Sequence, residues 1–187
     1  VDQLLVGEEL AKEGVRPVLD YFSRNAELGL GAQLWLVRGT SARDALSAGG
    51  DEGVDARLET IQNDSKMGIA NLTRTAGAVY TDLLELGSAY VPALSPAEGG
   101  GAVLAEWGYG ILKGNALAGF LEGEPAKGLE LLAGGPASDI IEVELPEGPV
   151  SVKVTSAHTK GRLAFQGDTL SGLTVTCKVE TRLSEYR

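Results

Sequence analysis

Ile140-Ile141-Glu142-Val143-Glu144-Leu145 and Val150-Ser151-Val152-Lys153-Val154 stand on either side of Pro146-Glu147-Gly148-Pro149. Apolar side chains recur at alternate positions in both runs, which is the period of a strand with one face turned to a core, and the intervening tetrad is turn chemistry. The spacing predicts a β-hairpin. The pattern continues through Leu163-Ala164-Phe165, a turn at Gly167-Asp168, and Leu173-Thr174-Val175-Thr176-Cys177-Lys178-Val179. The last third of the chain therefore reads as antiparallel sheet.

Working back toward the N-terminus, Pro125 can open a short helix that ends near Ala133 and is stopped by Gly134-Gly135-Pro136. Residues 102–121 read as two strands joined at Gly114-Asn115, a pair suited to positive φ. Upstream, Pro92, Ser95, Pro96 and Gly99-Gly100-Gly101 have the composition of a linker. The expected organisation is an N-terminal α/β region over 1–94, a linker over 95–101, and an antiparallel sheet domain with one helix over 102–187. The fold class is α+β, a helix-rich region with a small sheet followed by a mainly antiparallel sheet.

Within the N-terminal region, Leu10, Ala11, Val15, Val18, Leu19 and Phe22 fall at helical spacings broken by Gly14 and Pro17. Two short helices meeting at Gly14 account for this, because a Pro in a first turn forfeits no hydrogen bond. Ala32 to Arg38 has a buried-strand composition and ends at Gly39 and Thr40. Ser41 with Asp44 resembles a capping box for a helix through Leu46 that Gly49-Gly50 closes. From Val54 to Leu86 the chain reads as mainly helical, with Leu58, Ile61, Ile69, Leu72, Val79, Leu83 and Leu84 as a broken apolar stripe. Gly68 and Gly77 weaken it by roughly 1 kcal/mol each relative to Ala.

The 187 residues are 43% hydrophobic and 22% charged, an ordinary globular balance that argues against disorder. Sixteen Lys and Arg against 26 Asp and Glu leave a net charge of −10, which repels phosphate backbones and argues against a nucleic-acid partner. One Cys (Cys177) and one His (His158) permit neither an internal disulfide nor a Cys/His zinc site. No apolar run reaches the ~18–20 residues of a membrane-spanning helix. The start at Val1-Asp2-Gln3, without a basic signal region, and the end at Leu183-Ser184-Glu185-Tyr186-Arg187 read as a piece of a longer protein.

Each candidate for chemistry has a plainer structural explanation. His158 reads as an exposed turn residue, and Cys177 as a small buried or half-buried apolar group on an alternating strand. Gly108-Tyr109-Gly110 with Gly114 lacks the G-x-G-x-x-G spacing and lies in a hairpin, so it is not a phosphate loop. Asp51, Glu52 and Asp55 form a solvated acidic turn without calcium-loop spacing. Asn63-Asp64-Ser65 and Asn71-Leu72-Thr73 match a glycosylation sequon short enough to arise by chance. Glu8-Glu9 complement a helix dipole, and Trp35 and Trp107 are assigned to cores. No catalytic, cofactor-binding or metal-binding residue is assigned, no cofactor is expected, and the chain is read as no enzyme.

Val6-Gly7-Glu8-Glu9-Leu10-Ala11-Lys12-Glu13-Gly14, with Leu19-Asp20, Arg24, Glu27, the strand end at Val37-Arg38 and Ala42-Arg43-Asp44-Ala45-Leu46, resembles the Ger(x)C family. These are the C subunits of spore nutrient germinant receptors in endospore-forming bacteria. A second stretch, Gly108-Tyr109-Gly110-Ile111-Leu112-Lys113-Gly114-Asn115-Ala116-Leu117-Ala118-Gly119-Phe120-Leu121 followed by Gly128-Leu129, is similar to the family's strand, basic turn, strand and helix. Pro125-Ala126-Lys127 and Asn115-Ala116 depart from its usual charges. The resemblance implies a lipoprotein held by an N-terminal lipid anchor at the outer face of the spore inner membrane, working with membrane-embedded A and B subunits. It also implies that the anchor, the first strands of domain one and a helix-rich third domain lie outside this chain.

The leading functional expectation is a non-enzymatic subunit that supports germination by protein–protein contact. The alternative is a germinant-binding module that uses carboxylates and the two Trp residues as a pocket. A hydrolase working through Ser, Asp and Glu without His has no motif to support it.

Overall fold

In a computed structural model of the chain, residues 2–25, 28–47, 53–66, 70–97, 104–133, 140–146 and 148–186 are described. The expected stops at Gly49-Gly50 and Gly134-Gly135-Pro136, the Gly99-Gly100-Gly101 run, and Glu27, Gly68, Ile69 and Glu147 lie outside them. The elements in order are β1 (Gln3–Gly7), α1 (Glu8–Glu13), α2 (Arg16–Arg24), β2 (Gln33–Val37), α3 (Ala42–Ser47), α4 (Gly53–Lys66), α5 (Ala76–Glu85), β3 (Ser88–Pro96), β4 (Leu104–Lys113), β5 (Ala116–Leu121), α6 (Gly123–Ala133), β6 (Ile140–Leu145), β7 (Gly148–Gln166) and β8 (Thr169–Tyr186). The fold class is α+β, as expected.

Five strands form sheet A in the order β1-β2-β3-β4-β5, and three form sheet B in the order β6-β7-β8. In sheet A, β1, β2 and β3 run parallel, while β4 and β5 continue it antiparallel. Strand alternation sends Leu34 and Leu36 of β2 to one face and Trp35 and Val37 to the other. The first pair joins Val6, Ala11, Val15, Leu19, Ala76, Val79 and Val91 in one core, which brings α1, α2 and α5 to that face. The second pair joins Ala45, Val54, Leu58, Ile61, Leu94 and Leu104 in another, which brings in α3 and α4. Sheet A is thus a central layer with helices on both sides.

The expected linker at 95–101 is corrected at its start, because Ser95 and Pro96 belong to β3, whose pairing reaches Leu104 of β4. The two strands after it complete sheet A instead of opening the second sheet. The change of sheet comes after α6. The long helical stretch is also corrected. It is two helices, α4 and α5, separated by extended residues 71–74, whose polar contacts to β4 are described below.

Gly14 does separate two short helices, and a distant residue shows why. Its φ is 144°, and a Cβ there would lie 2.4 Å from the amide nitrogen of Asn115. Asn115, in the β4–β5 turn, accepts from Arg16 N–H through Oδ1 at 2.7 Å and from Val15 N–H through its carbonyl at 2.8 Å. The hairpin turn therefore caps α2, whose own N-cap residue Val15 makes no side-chain cap bond. Ser41 behaves as expected: its Oγ accepts from Asp44 N–H at 3.1 Å and donates to Asp44 Oδ2 at 2.7 Å.

Candidate functional site

The parallel strands β1, β2 and β3 all end at one edge of sheet A, the edge where open α/β sheets carry ligands. A cleft of about 650 Å³ lies there, lined by Glu8, Arg38, Gly39, Ser95, Pro96, Ala97, Ala105, Glu106 and Trp107. The strand ends place these residues: Glu8 follows β1, Arg38 and Gly39 follow β2, and Ser95 and Pro96 close β3. The Arg38 N–H donates to Leu94 O at 2.8 Å, which fixes the backbone from which its side chain departs.

Arg38 lies over an aromatic wall. Its guanidinium carbon is 3.7 Å from the centre of the Trp107 ring and 5.6 Å from that of Phe120, and the two rings meet edge to face at 5.4 Å. Such stacking contributes about 0.5–2 kcal/mol and leaves the guanidinium edge available for hydrogen bonds. Glu8 faces the same cleft. Its hydrogen bond to Lys12 at 2.9 Å holds the carboxyl below the usual range, with smaller help from Gly39 N–H and the Arg38 charge. Glu106 goes the other way, because burial raises it despite an N–H donated by Asn71 at 2.7 Å.

Behind the cleft wall a buried polar hub ties three segments together. Tyr109 is fully buried; its hydroxyl accepts from Leu72 N–H at 2.6 Å and donates to Glu130 Oε1 of α6 at 2.7 Å. Burial and the neighbouring carboxylate keep that hydroxyl protonated far above the ordinary tyrosine value. Asn71 Nδ2 donates to Gly108 O at 3.2 Å, and Thr73 N–H donates to Ser65 Oγ at 3.1 Å. These bonds satisfy the extended segment between α4 and α5 and fix α6 to sheet A. The Asn71 side chain is thus engaged within the fold, which argues against its use as a sequon, while Asn63 of the other sequon is exposed on α4.

Several sequence readings meet their positions here. Gly108 sits in β4 with φ 118°, and a Cβ there would lie 2.2 Å from Leu121 O, so the glycine serves a close strand approach, not a phosphate. Trp35 is fully buried, as expected, and its Nε1–H donates to Gln3 Oε1 at 2.7 Å. Trp107 is corrected in part: it packs against the core with Phe120 yet lines the cleft. His158 is exposed but lies within β7, not in a turn. Cys177 is exposed on β8, not buried, because little packs over its face of the strand. The register sets His158 opposite Lys178 and Thr159 opposite Cys177, so His158 and Cys177 point to opposite faces and form no dyad. Asp55 falls in the first turn of α4, while Asp51 and Glu52 lie outside the described residues.

Among the described residues no group of three or more His, Cys, Asp or Glu is placed to hold a metal ion. Among them, too, no helix is long and apolar enough to cross a membrane. Sequence reasoning missed Arg38 as a cleft residue. The signal was a basic residue directly after a strand, but its aromatic partner is 69 positions away on another strand.

Fold and cleft together define an α+β chain in which a helix-flanked mixed sheet is followed by an antiparallel ribbon. Residues 1–96 match the family described as spore germination protein N-terminal domain. The chain belongs to this family of spore germination proteins, the Ger(x)C family. A solved structure, that of the GerBC protein, is similar over the whole of this chain with a TM-score of 0.65 and 21% identity. The chain spans 55% of the length of that protein. No curated protein matches.

Proposed function

We propose that this chain forms part of the C subunit of a spore nutrient germinant receptor, a non-enzymatic component that works by protein–protein contact. In this reading it acts at the outer face of the spore inner membrane, on a lipid anchor, beside A and B membrane subunits. The observation that carries it is the family match over residues 1–96. Supporting it, the cleft collects Arg38, Glu8, Glu106 and Trp107, charged and aromatic groups suited to contact with another molecule. We place the division of the chain after α6, where one sheet gives way to the other, and not at 95–101. Proximity crosslinking of the full-length protein in dormant spores is the test. Recovery of the two membrane subunits is the expected result, and turnover of a substrate by the purified protein without partners would overturn the reading.

The cleft motivates a second reading, in which the chain itself binds a small germinant. Arg38 held against Trp107, with two carboxylates nearby, is a setting for a small polar molecule. Calorimetry with a panel of germinants separates the two: binding that Arg38→Ala abolishes favours the second, and no heat with any member favours the first.

A further inference from the structure

Among the described residues two arginines lie over aromatic rings, and the fold supplies a carboxylate to only one of them. Arg74 sits 4.5 Å from the centre of the Tyr90 ring, and its Nη2 donates to Asp82 Oδ2 at 2.5 Å. Arg38 sits closer to its ring, 3.7 Å from the centre of Trp107, with Phe120 at 5.6 Å. The ion pairs of the described residues join Lys12 to Glu8 and Glu9, Arg24 to Asp20, and Arg74 to Asp82, and Arg38 is in none of them. A guanidinium is all donors and no acceptor, and a ring over one of its faces displaces water there without satisfying a single N–H. Asp82 answers this for Arg74. Arg38 lines the cleft with no such partner among the described residues.

The neighbouring carboxyls are engaged elsewhere. Glu8 is bound by Lys12 at 2.9 Å, and its other oxygen accepts from Gly39 N–H at 3.4 Å. Glu106 accepts from Asn71 N–H at 2.7 Å, and the Arg57 charge acts on it. With Glu8 matched by Lys12 and Glu106 by Arg57, the charge left unmatched in the cleft is that of Arg38. A single positive charge in a planar fork fits a carboxylate, which brings a single negative charge and a pair of coplanar acceptors. A phosphate brings up to about two negative charges and meets Glu8 and Glu106 on the same wall, which oppose it. Pro96, Ala97 and Ala105 add apolar lining, and a volume of about 650 Å³ is that of a small-molecule site.

We propose that the cleft at the ends of β1, β2 and β3 binds a small organic carboxylate, with its carboxyl group bidentate on the Arg38 guanidinium and its apolar body against Trp107, Pro96 and Ala105. Such a ligand rests on the reading of the cleft as a small-molecule site and narrows that reading to one chemical class. Trp107 serves it by holding the guanidinium in place before the ligand arrives, which lowers the ordering cost of binding.

Calorimetry on the full-length protein with matched pairs of ligands is the test: propionate, hexanoate and benzoate against propionamide, hexanamide and benzamide. Each amide keeps the shape of its acid and loses the charge. The acids are expected to bind at least about tenfold more tightly than their amides, the margin of a charge-assisted over a neutral hydrogen bond. Arg38→Gln is expected to bring the acids down to the level of the amides. Arg38→Lys, which keeps the charge and loses the fork, is expected to fall between, and Lys113→Gln, at the opposite end of β4, to change nothing. Trp107 lines the cleft while Trp35 is fully buried, so indole emission reports binding in the unsubstituted protein and guards against a variant that fails to fold. Acids and amides that bind alike would spare the small-molecule reading and overturn the carboxylate assignment. Binding of the acids that Arg38→Gln leaves unchanged would overturn it too. No heat and no change in emission with either series would overturn both.

Discussion

Leu34, Trp35, Leu36 and Val37 of β2 and Leu163, Phe165, Leu173 and Val175 of the β7–β8 tip are equally apolar, yet the first four are fully buried and the second four are exposed. The difference lies in what covers them. Each face of β2 meets helices, α1, α2 and α5 on one side and α3 and α4 on the other. The tip meets α6 at its base, and its row continues past that helix. Alternation in a strand declares which face is meant for packing; it does not say what packs there.

The sharpest way to break that comparison is a pair of truncations in this chain. Trp35→Ala removes a fully buried ring and the hydrogen bond to Gln3, and is expected to cost about 3–5 kcal/mol. Leu173→Ala on the bare row is expected to stay within about 0.5 kcal/mol. Chemical denaturation measures both, and equal losses would erase the distinction between the sheets.

A smaller effect probes the joint between the two regions. Tyr109→Phe deletes the hydroxyl that links Leu72 of the extended segment to Glu130 of α6 and leaves both partners short of a hydrogen bond. The expected loss is about 1–3 kcal/mol, with faster exchange of the α6 amides. Unchanged α6 protection would mean that the helix is held by its apolar contacts alone. Asn115→Ala removes the side-chain acceptor for Arg16 N–H but keeps the carbonyl that accepts from Val15 N–H, and is expected to cost about 1 kcal/mol, visible as a lowered melting temperature.

The smallest effect is one of pH. Burial raises Glu106, so the folded chain keeps that proton to higher pH than the unfolded chain does. Its contribution to stability is present below the unfolded value and is lost as pH rises through the folded one. Asp20, lowered by the hydroxyl of Tyr80 at 2.6 Å, acts in the opposite sense, its contribution being lost as pH falls. Glu106→Gln is expected to flatten the decline in melting temperature on the way from acid to neutral pH, and an unchanged slope would remove Glu106 from the account.

Much of this molecule could be read from its residues, and the failures have physical causes. The α1–α2 break at Gly14, β2, the β4–β5 turn, α6 and the alternating strands of sheet B follow from local patterns of apolar residues, Gly and Pro. β3 was missed because Pro92 and Pro96 argue against an inner strand. It is tolerated because β2 pairs with β3 only at Ala93 and Leu94, which leaves both prolines outside that ladder. β1 was missed because a strand of five residues running directly into a helix carries little period of its own. The cleft was the least legible part. Arg38 and Trp107 meet only because β3 lies between β2 and β4, and the Asn115 cap on α2 spans 99 positions. Such contacts are made by topology, to which local spacing is blind.

Native-state hydrogen exchange on the 187-residue chain by itself tests the contrast between the sheets most directly. Amides of Leu34 to Val37 and of Val91, Ala93 and Leu94 are expected to open only with global unfolding, and those over 159–175 to exchange at least about a hundredfold faster through local fraying. Equal protection in both stretches would contradict the claim that the ribbon tip lacks the cover that sheet A has.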